Sequence, residues 1–379
     1  LLTDSTLEER MLRKLSVVFS AVVVLGLLLT ACGAGATPTP AVQQNQPAPT
    51  QAPADGGSSQ GAAQGEILGR VLDRGSVVCG GRTDLAGFGF LDDQGNNVGF
   101  DIDICRAVAA AVLGDPDAVE IVPLTAAERG PALQTGEVDL LSRNVTWTSS
   151  RDAQWGNFTA TVFYDGQGFM VRKDSGITTV ADLDGATICV TSGTTTELNL
   201  ADFFSQQNMD FTPVVFEDTA TVYGTYEDGR CDAATSDKSQ LASVRSGFSD
   251  PSAHDILDVT ISKEPLTPAV PSGDDQWFDI VKMVVFGLIN AEELGVTQAN
   301  VTDMINSDNV SVRRLLGSEG EWGQADLGLD ADAMVNAISA VGNYGEIYDR
   351  YLGPDALNIP RGPNRLWTDG GILYAPPMR

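Results

Sequence analysis

Histidine is almost missing from this chain: of its 379 residues only His254 carries an imidazole. That scarcity argues against histidine-activated nucleophiles and histidine metal clusters, and no spacing gathers His254 and the cysteines into a ligand set. Positive charge is scarce as well. Lys and Arg number 23 against 51 Asp and Glu, a formal net charge of −28, so a broad nucleic-acid or anionic-lipid surface would be repelled, although a local basic pocket is not excluded. Long apolar stretches are limited to residues 15–29, short of the roughly 20 residues a spanning helix needs. The composition, 42% hydrophobic and 20% charged, is otherwise that of a globular protein.

The one apolar run has a role of its own. Met11 reads as an initiator, Arg13 and Lys14 precede the run, and Leu29-Thr30-Ala31-Cys32 closes it, the pattern of an export signal over residues 1–31 ending in a lipobox. Cys32 is then the acylated N-terminus. The following residues 32–65, rich in Pro, Gln, Ala and Gly, hold too little apolar surface to fold and are expected to be a disordered tether above the membrane. Loss of residues 1–31 removes three basic and three acidic residues, so the exported part keeps the charge of −28.

Beyond the tether, short apolar strands alternate with helical patterns, which implies βαβ units and a parallel sheet. Strands are expected at 76–80, 119–124 and 137–141, with helices at 103–113 and about 126–134. The order recurs at 186–190, 196–206, 212–216, 219–228 and 231–235. Two α/β lobes in series follow, and loops at the carboxyl ends of their strands would face one another across a cleft. Residues 277–293 read as a long helix whose apolar positions pack on the sheet. The four cysteines left after Cys32 allow three pairings. Cys79 with Cys105 and Cys189 with Cys231 are favoured, because each pair stays within a lobe and leaves a hinge free; unpaired buried thiols are the alternative.

Gly99-Phe100-Asp101-Ile102-Asp103-Ile104, followed by Val108, Ala109 and Val112, resembles the signature of family 3 extracellular solute-binding proteins of polar amino-acid ABC transporters. The runs 139–151, 164–169, 192–200, 274–279, 341–348 and Tyr374-Ala375-Pro376-Pro377 are similar to the general L-amino-acid and glutamate/glutamine/aspartate/asparagine binding branch. The resemblance implies a type II periplasmic-binding-protein-like fold, two α/β lobes joined by two crossover strands, here near 165–171 and 259–265. It divides the chain into a first lobe of 66–168 and 263–379 and a second of 169–262. It also implies a monomer that closes on a free L-amino acid outside the cytoplasm and delivers it to permease and ATPase subunits, with no cofactor; the lipobox adds the lipid anchor, and charge and spacing argue against nucleic acid and metal.

A free amino acid is a zwitterion, so its site needs a cation and an anion, each hydrogen-bonded because burial strips both charges of water. Leu140-Leu141-Ser142-Arg143-Asn144-Val145-Thr146 is a buried strand running into a hydroxyl-rich loop that ends on Arg151, whose planar fork suits a carboxylate. Asn144 and Thr146 can add hydrogen bonds. By resemblance Arg151 and Asp237 recognise the ligand backbone, while Thr194 and Thr195, between a strand and a helix start, can present N–H groups to the carboxylate. Selectivity is expected from Arg82, where relatives that bind basic ligands carry an acid. Arg143 and Lys238 are further candidates, either of which could equally face solvent or an internal acid, and Phe88 is a candidate apolar wall. The rival readings are a dehydratase-like enzyme and a sensory ectodomain on the same fold. Against the first stands the lack of a nucleophile and base pair, and against the second the lack of a spanning helix before Arg379.

Overall fold

The computed structural model describes residues 65–379; the export signal, the lipobox Cys32 and the tether up to residue 64 lie outside the described residues. The first sheet has the order Val119–Pro123, Val77–Gly81, Leu140–Leu141, Ala269–Val270 and Asn157–Phe158. Its first three strands are parallel, and Ala269–Val270 runs antiparallel to both neighbours. The inner strands are apolar on both faces because helices cover both. Asp275–Glu293 is one of these helices. Asp274 caps it, accepting from the Trp277 N–H at 2.9 Å, and the helix buries Trp277, Val281, Val284, Val285, Leu288 and Ile289 in the first lobe's core, with Phe278 only partly covered. Trp277 is pinned further by donating its indole N–H to the Asp139 carbonyl at 2.7 Å.

The second sheet repeats the order with new residues: Phe211–Phe216, Ala186–Thr191, Ala233–Asp237, Gln167–Arg172 and His254–Ile256. Here too the fourth strand is antiparallel to its neighbours. Apolar clusters lie on its two faces, one around Phe169, Leu200 and Phe204, the other around Tyr223, Tyr226 and Leu241. Between the sheets runs an antiparallel ribbon of Phe163–Asp165 with Glu264–Leu266. The crossover is shorter than the sequence suggested, because Gln167–Arg172 already belongs to the second sheet. Its residues 167–171 are all buried between two strands, four of them apolar or small, while Gln167 donates its amide to the Thr196 carbonyl and to Thr235 Oγ1.

Both disulfides form as read from the sequence, Cys79 with Cys105 and Cys189 with Cys231. Each ties an inner strand to a segment of its own lobe and leaves the ribbon unrestrained. With sequence separations of 26 and 42, loop closure makes each worth on the order of 3 to 4 kcal/mol. Among the described residues no helix is long and apolar enough to cross a membrane, and no cluster of His, Cys, Asp or Glu could hold a metal ion.

Candidate amino-acid site between the lobes

After Leu140–Leu141 the chain turns through Asn144, which has a φ of 34°, the left-handed region that Asn tolerates better than most residues. The turn is held by the Asn144 N–H, which donates to Asp101 Oδ2 at 2.7 Å. Asp101 comes from the first turn of Phe100–Leu113, so the signature around residue 101 supports the site from below. Four residues after Asn144, Thr148 caps the short helix Ser149–Gln154 by accepting from the Arg151 N–H. The Arg151 guanidinium donates to the Thr146 carbonyl at 3.1 Å and lies over the Trp155 ring, 4.6 Å from its centre. Two contacts thus fix one edge and one face of the fork and leave its other edge toward the cleft.

Three more arginines converge there from the first lobe. Arg82 donates to Asp84 at 2.7 Å, to Asn144 Oδ1 and Gln240 Oε1 at 3.2 Å, and to Thr219 Oγ1 at 3.4 Å. Arg143 donates to the Leu124 carbonyl at 2.6 Å, and Arg129 to the Ala126 carbonyl at 3.1 Å. All four guanidinium groups are at least nine-tenths buried and line one cavity with about 370 Å³ of space between its atoms. From the second lobe the cavity receives Thr191, Thr194, Thr195, Thr196, Thr219, Ser236, Asp237 and Gln240.

The electrostatics are unbalanced. Burial lowers the affinity of Arg151 and Arg129 for their protons, and Arg143 falls to about 9, with Arg82 adding repulsion. Asp237 is pushed well above the usual carboxylate range by burial, then by Asp165 and Glu264, and only partly relieved by Arg129 and Arg151. Among the described residues no protein group donates a side-chain or capping hydrogen bond to the Asp237 carboxylate. A buried acid without donors is held at a cost that an arriving ammonium relieves. One cavity therefore has fixed cations on one wall and a proton-hungry acid on the other.

The lobes also bond to each other directly. Glu264, on the return strand of the ribbon, accepts from Thr146 at 2.6 Å in the first lobe and from Thr195 at 2.8 Å and Asn199 at 2.9 Å in the second. Gln240 bonds Arg82 and Asn144, and Ser243 donates to the Ala86 carbonyl at 2.7 Å. Thr194 caps the helix Thr195–Gln207, accepting from the Glu197 N–H after the left-handed Gly193. The structure is thus a closed one.

Arg151, Asp237, Arg82, Arg143, Asn144, Thr146, Thr194 and Thr195 all meet at this cavity. Two residues expected here do not. Phe88 is fully buried in the first lobe's aromatic core, edge-on to Phe100 at 6.2 Å and Phe163 at 5.6 Å, because the loop after Arg82 folds back into a small three-stranded sheet. Lys238 begins the helix Lys238–Ser246 and turns to a groove behind the ribbon. Arg129, Thr219, Gln240 and Glu264 were missed. Arg129 had a signal, the one basic residue between Ala127 and Pro131, shortly after the carboxyl end of a strand; Glu264 had none, since its lobe-bridging partners Thr146, Thr195 and Asn199 lie far from it in sequence.

The sequence profile of the bacterial extracellular solute-binding proteins, family 3, matches residues 77–354. The general L-amino acid-binding periplasmic protein AapJ of Rhizobium johnstonii is 54% identical over 315 residues, which are 82% of this chain and 92% of that protein. The glutamate/glutamine/aspartate/asparagine-binding protein BztA of Rhodobacter capsulatus is 48% identical over 324 residues, 84% of this chain and 95% of that one. A solved ABC-transporter periplasmic binding protein from Brucella ovis with glutathione bound superposes with a TM-score of 0.81 at 48% identity, covering 84% of this chain and all of the other.

Proposed function

Because this chain belongs to the bacterial extracellular solute-binding proteins, family 3, and serves an amino-acid ABC transporter, we propose that its cavity captures acidic amino acids and their amides by closing two lobes around them. The observation that carries this reading is the meeting of four first-lobe arginines with one second-lobe acid that lacks side-chain or capping donors among the described residues. Arg151 takes the α-carboxylate, assisted by N–H groups at the start of Thr195–Gln207, and Asp237 takes the ammonium. Arg82 and Arg129, with Arg143 behind them, take the side chain. Two cations near one side chain favour a carboxylate, and the neighbouring Gln240 and Asn144 offer amide partners.

The lobes of this reading are 66–168 with 263–379, and 169–262, with the first boundary drawn back to the ribbon because Gln167 and Gly168 pair in the second sheet, and the ribbon is the hinge. The protein works as a monomer and performs no chemistry on its ligand. It is held outside the cytoplasm by acylation of Cys32, and a Cys32→Ser protein is expected to lose lipid and membrane retention. The deciding experiment is a calorimetric titration of ligand-stripped protein with a panel of amino acids. Glutamate, glutamine, aspartate and asparagine should bind and be recovered unchanged, while lysine and arginine should not bind. Glutathione belongs in the panel because its γ-glutamyl end carries the same zwitterion and the Brucella ovis protein holds it. Tight lysine binding, or conversion of any ligand, would sink the reading.

A further inference from the structure

Behind the ribbon, on the side away from the arginine cavity, lies a second concavity with about 1810 Å³ of space by the same measure. One wall is the helix Lys238–Ser246 of the second lobe. Lys238, Ala242 and Arg245 line the groove, and their spacing of four and then three residues puts them on a single helix face. The opposite wall is the first lobe's C-terminal segment, with Leu357, Ile359, Pro360 and Pro363, and the floor includes Phe163 and Pro265 of the ribbon. Trp147 and Ile372, at 41% and 54% exposure, continue the apolar surface to its rim.

The charges in this groove run against the rest of the molecule. The chain has only five lysines within its net charge of −28, yet Lys238 and Lys263 both face this one concavity, beside Arg245. None of the three makes a salt bridge among the described residues, whereas Arg361, also present, is spent on Glu292. Two acids line the groove as well. Asp165 already accepts from the Gly166 and Ser239 N–H groups, and Glu264 is occupied by Thr146, Thr195, Asn199 and Ser262. Three free cations beside a long apolar wall complement a molecule with a negative head and an apolar body. A free amino acid does not suit it, since the apolar wall offers its ammonium nothing.

We propose that the groove behind the hinge is a second ligand site, which takes a small amphipathic organic anion with its head against Lys238, Arg245 and Lys263 and its body along Leu357–Pro363, and whose occupancy favours closure of the lobes. The coupling follows from the walls. They belong to different lobes, their spacing is that of the closed protein, and a ligand that fits this spacing stabilises the state that has it. The site stands on its own geometry, and only the coupling rests on the hinge reading above.

The test is calorimetry on the full exported chain with octanoate, octanamide and octylammonium, below any micelle-forming concentration. Octanoate should bind, octanamide at least about tenfold more weakly for want of charge-assisted bonds, and octylammonium not at all. An Arg245→Gln, Lys263→Gln protein should lose the preference for octanoate over octanamide while its glutamate affinity without octanoate is unchanged. Saturating octanoate should tighten glutamate binding, and glutamate should tighten octanoate by the same factor. Equal affinity for acid and amide, competition between octanoate and glutamate, or glutamate affinity indifferent to octanoate would each overturn the proposal. A glutamate titration without octanoate separates these failures from failure of the amino-acid site itself.

Discussion

The two lobes repeat one strand order but equip the shared cavity in opposite ways. The first brings Arg82, Arg129, Arg143 and Arg151; the second, among the described residues that line the cavity, brings one charge, Asp237, set among hydroxyls and the Gln240 amide. The division teaches how recognition is split. Every amino acid presents a carboxylate and an ammonium on the same carbon, so in the proposed reading a ligand bound by the cations of one lobe still exposes an ammonium for the lobe carrying the acid. On that reading closure is driven by a contact that neither lobe satisfies alone, which is the differential interaction a two-state hinge requires.

The sharpest way to break this comparison is to remove one partner from each lobe. Arg151→Ala and Asp237→Ala should weaken every amino acid tested, each by about 3 to 5 kcal/mol, or roughly two to four decades in dissociation constant. The two should differ in the free protein. Asp237→Asn removes an acid held far above its ordinary range, so its ligand-free form should melt higher than wild type, whereas Arg151→Ala opens a space beside Trp155 and should melt lower. Calorimetry and thermal unfolding together decide. If either variant spares some amino acids entirely, the assignment of that residue to the ligand backbone is wrong.

A second contrast is carried by pH. Asp101, buried under the first lobe's Asn144 turn and faced by Arg82 and Arg143, is raised to about 6, burial outweighing the Asn144 N–H and both arginines. The native state therefore holds a proton that the unfolded chain has released, and stability falls as pH rises from about 4 to about 6, then levels off. For one such group the change amounts to roughly 3 kcal/mol. Asp165 and Asp237 shift in the same direction and steepen the fall. Urea unfolding at pH 4.5 and 7 should show wild type less stable at the higher pH, with Asp101→Asn flattening part of the difference. A wild-type protein more stable at pH 7 would contradict the buried, protonated carboxyl.

The contrast also explains what could be read from the chain itself. Element order and disulfide pairing were legible because they rest on local apolar runs and on pairing within a lobe; the Thr148 cap and its short helix were not. Arg151 and Asp237 were singled out by resemblance, and both do line the cavity. Phe88 and Lys238 do not. Whether an aromatic residue faces a ligand or a core depends on which way its loop folds, and Phe88 is claimed by Phe100 and Phe163. Lys238 follows Asp237 by one residue, yet Asp237 ends the strand Ala233–Asp237 while Lys238 begins the helix Lys238–Ser246, and that change of backbone sends one into the cavity and the other behind the hinge. Glu264 and Gln240 matter through partners more than 60 residues away, for which one sequence holds no signal.

The first lobe's excess of cations can be tested through ligands that differ only in their ends. Arg82→Ala and Arg129→Ala should each raise the ratio of glutamate to glutamine dissociation constants, because a buried carboxylate loses a charged partner while an amide loses a neutral hydrogen bond of about 1 kcal/mol. Arg82→Lys should restore only part, since a point charge cannot replace a fork that serves Asp84, Asn144 and Gln240 at once. An unchanged ratio in both alanine variants would move the side-chain contact to Arg143.

The smallest expected effect probes closure without touching ligand. Ser243, in the second lobe and 2% exposed, donates to the Ala86 carbonyl of the first lobe at 2.7 Å and lines no part of the arginine cavity. In an open protein both groups return to water, so the bond counts only in the closed state. Ser243→Ala should therefore weaken all ligands alike, by about 1 kcal/mol or roughly fivefold, and leave the ratio of glutamate to glutamine unchanged. It should also shift ligand-free protein toward larger radii in small-angle scattering, since closure then loses a contact that does not depend on ligand. A selective loss would mean that the bond shapes the cavity rather than the hinge equilibrium. No loss at all would mean that water replaces it, and that the ammonium on Asp237 and the bonds around Glu264 set the closed state between them.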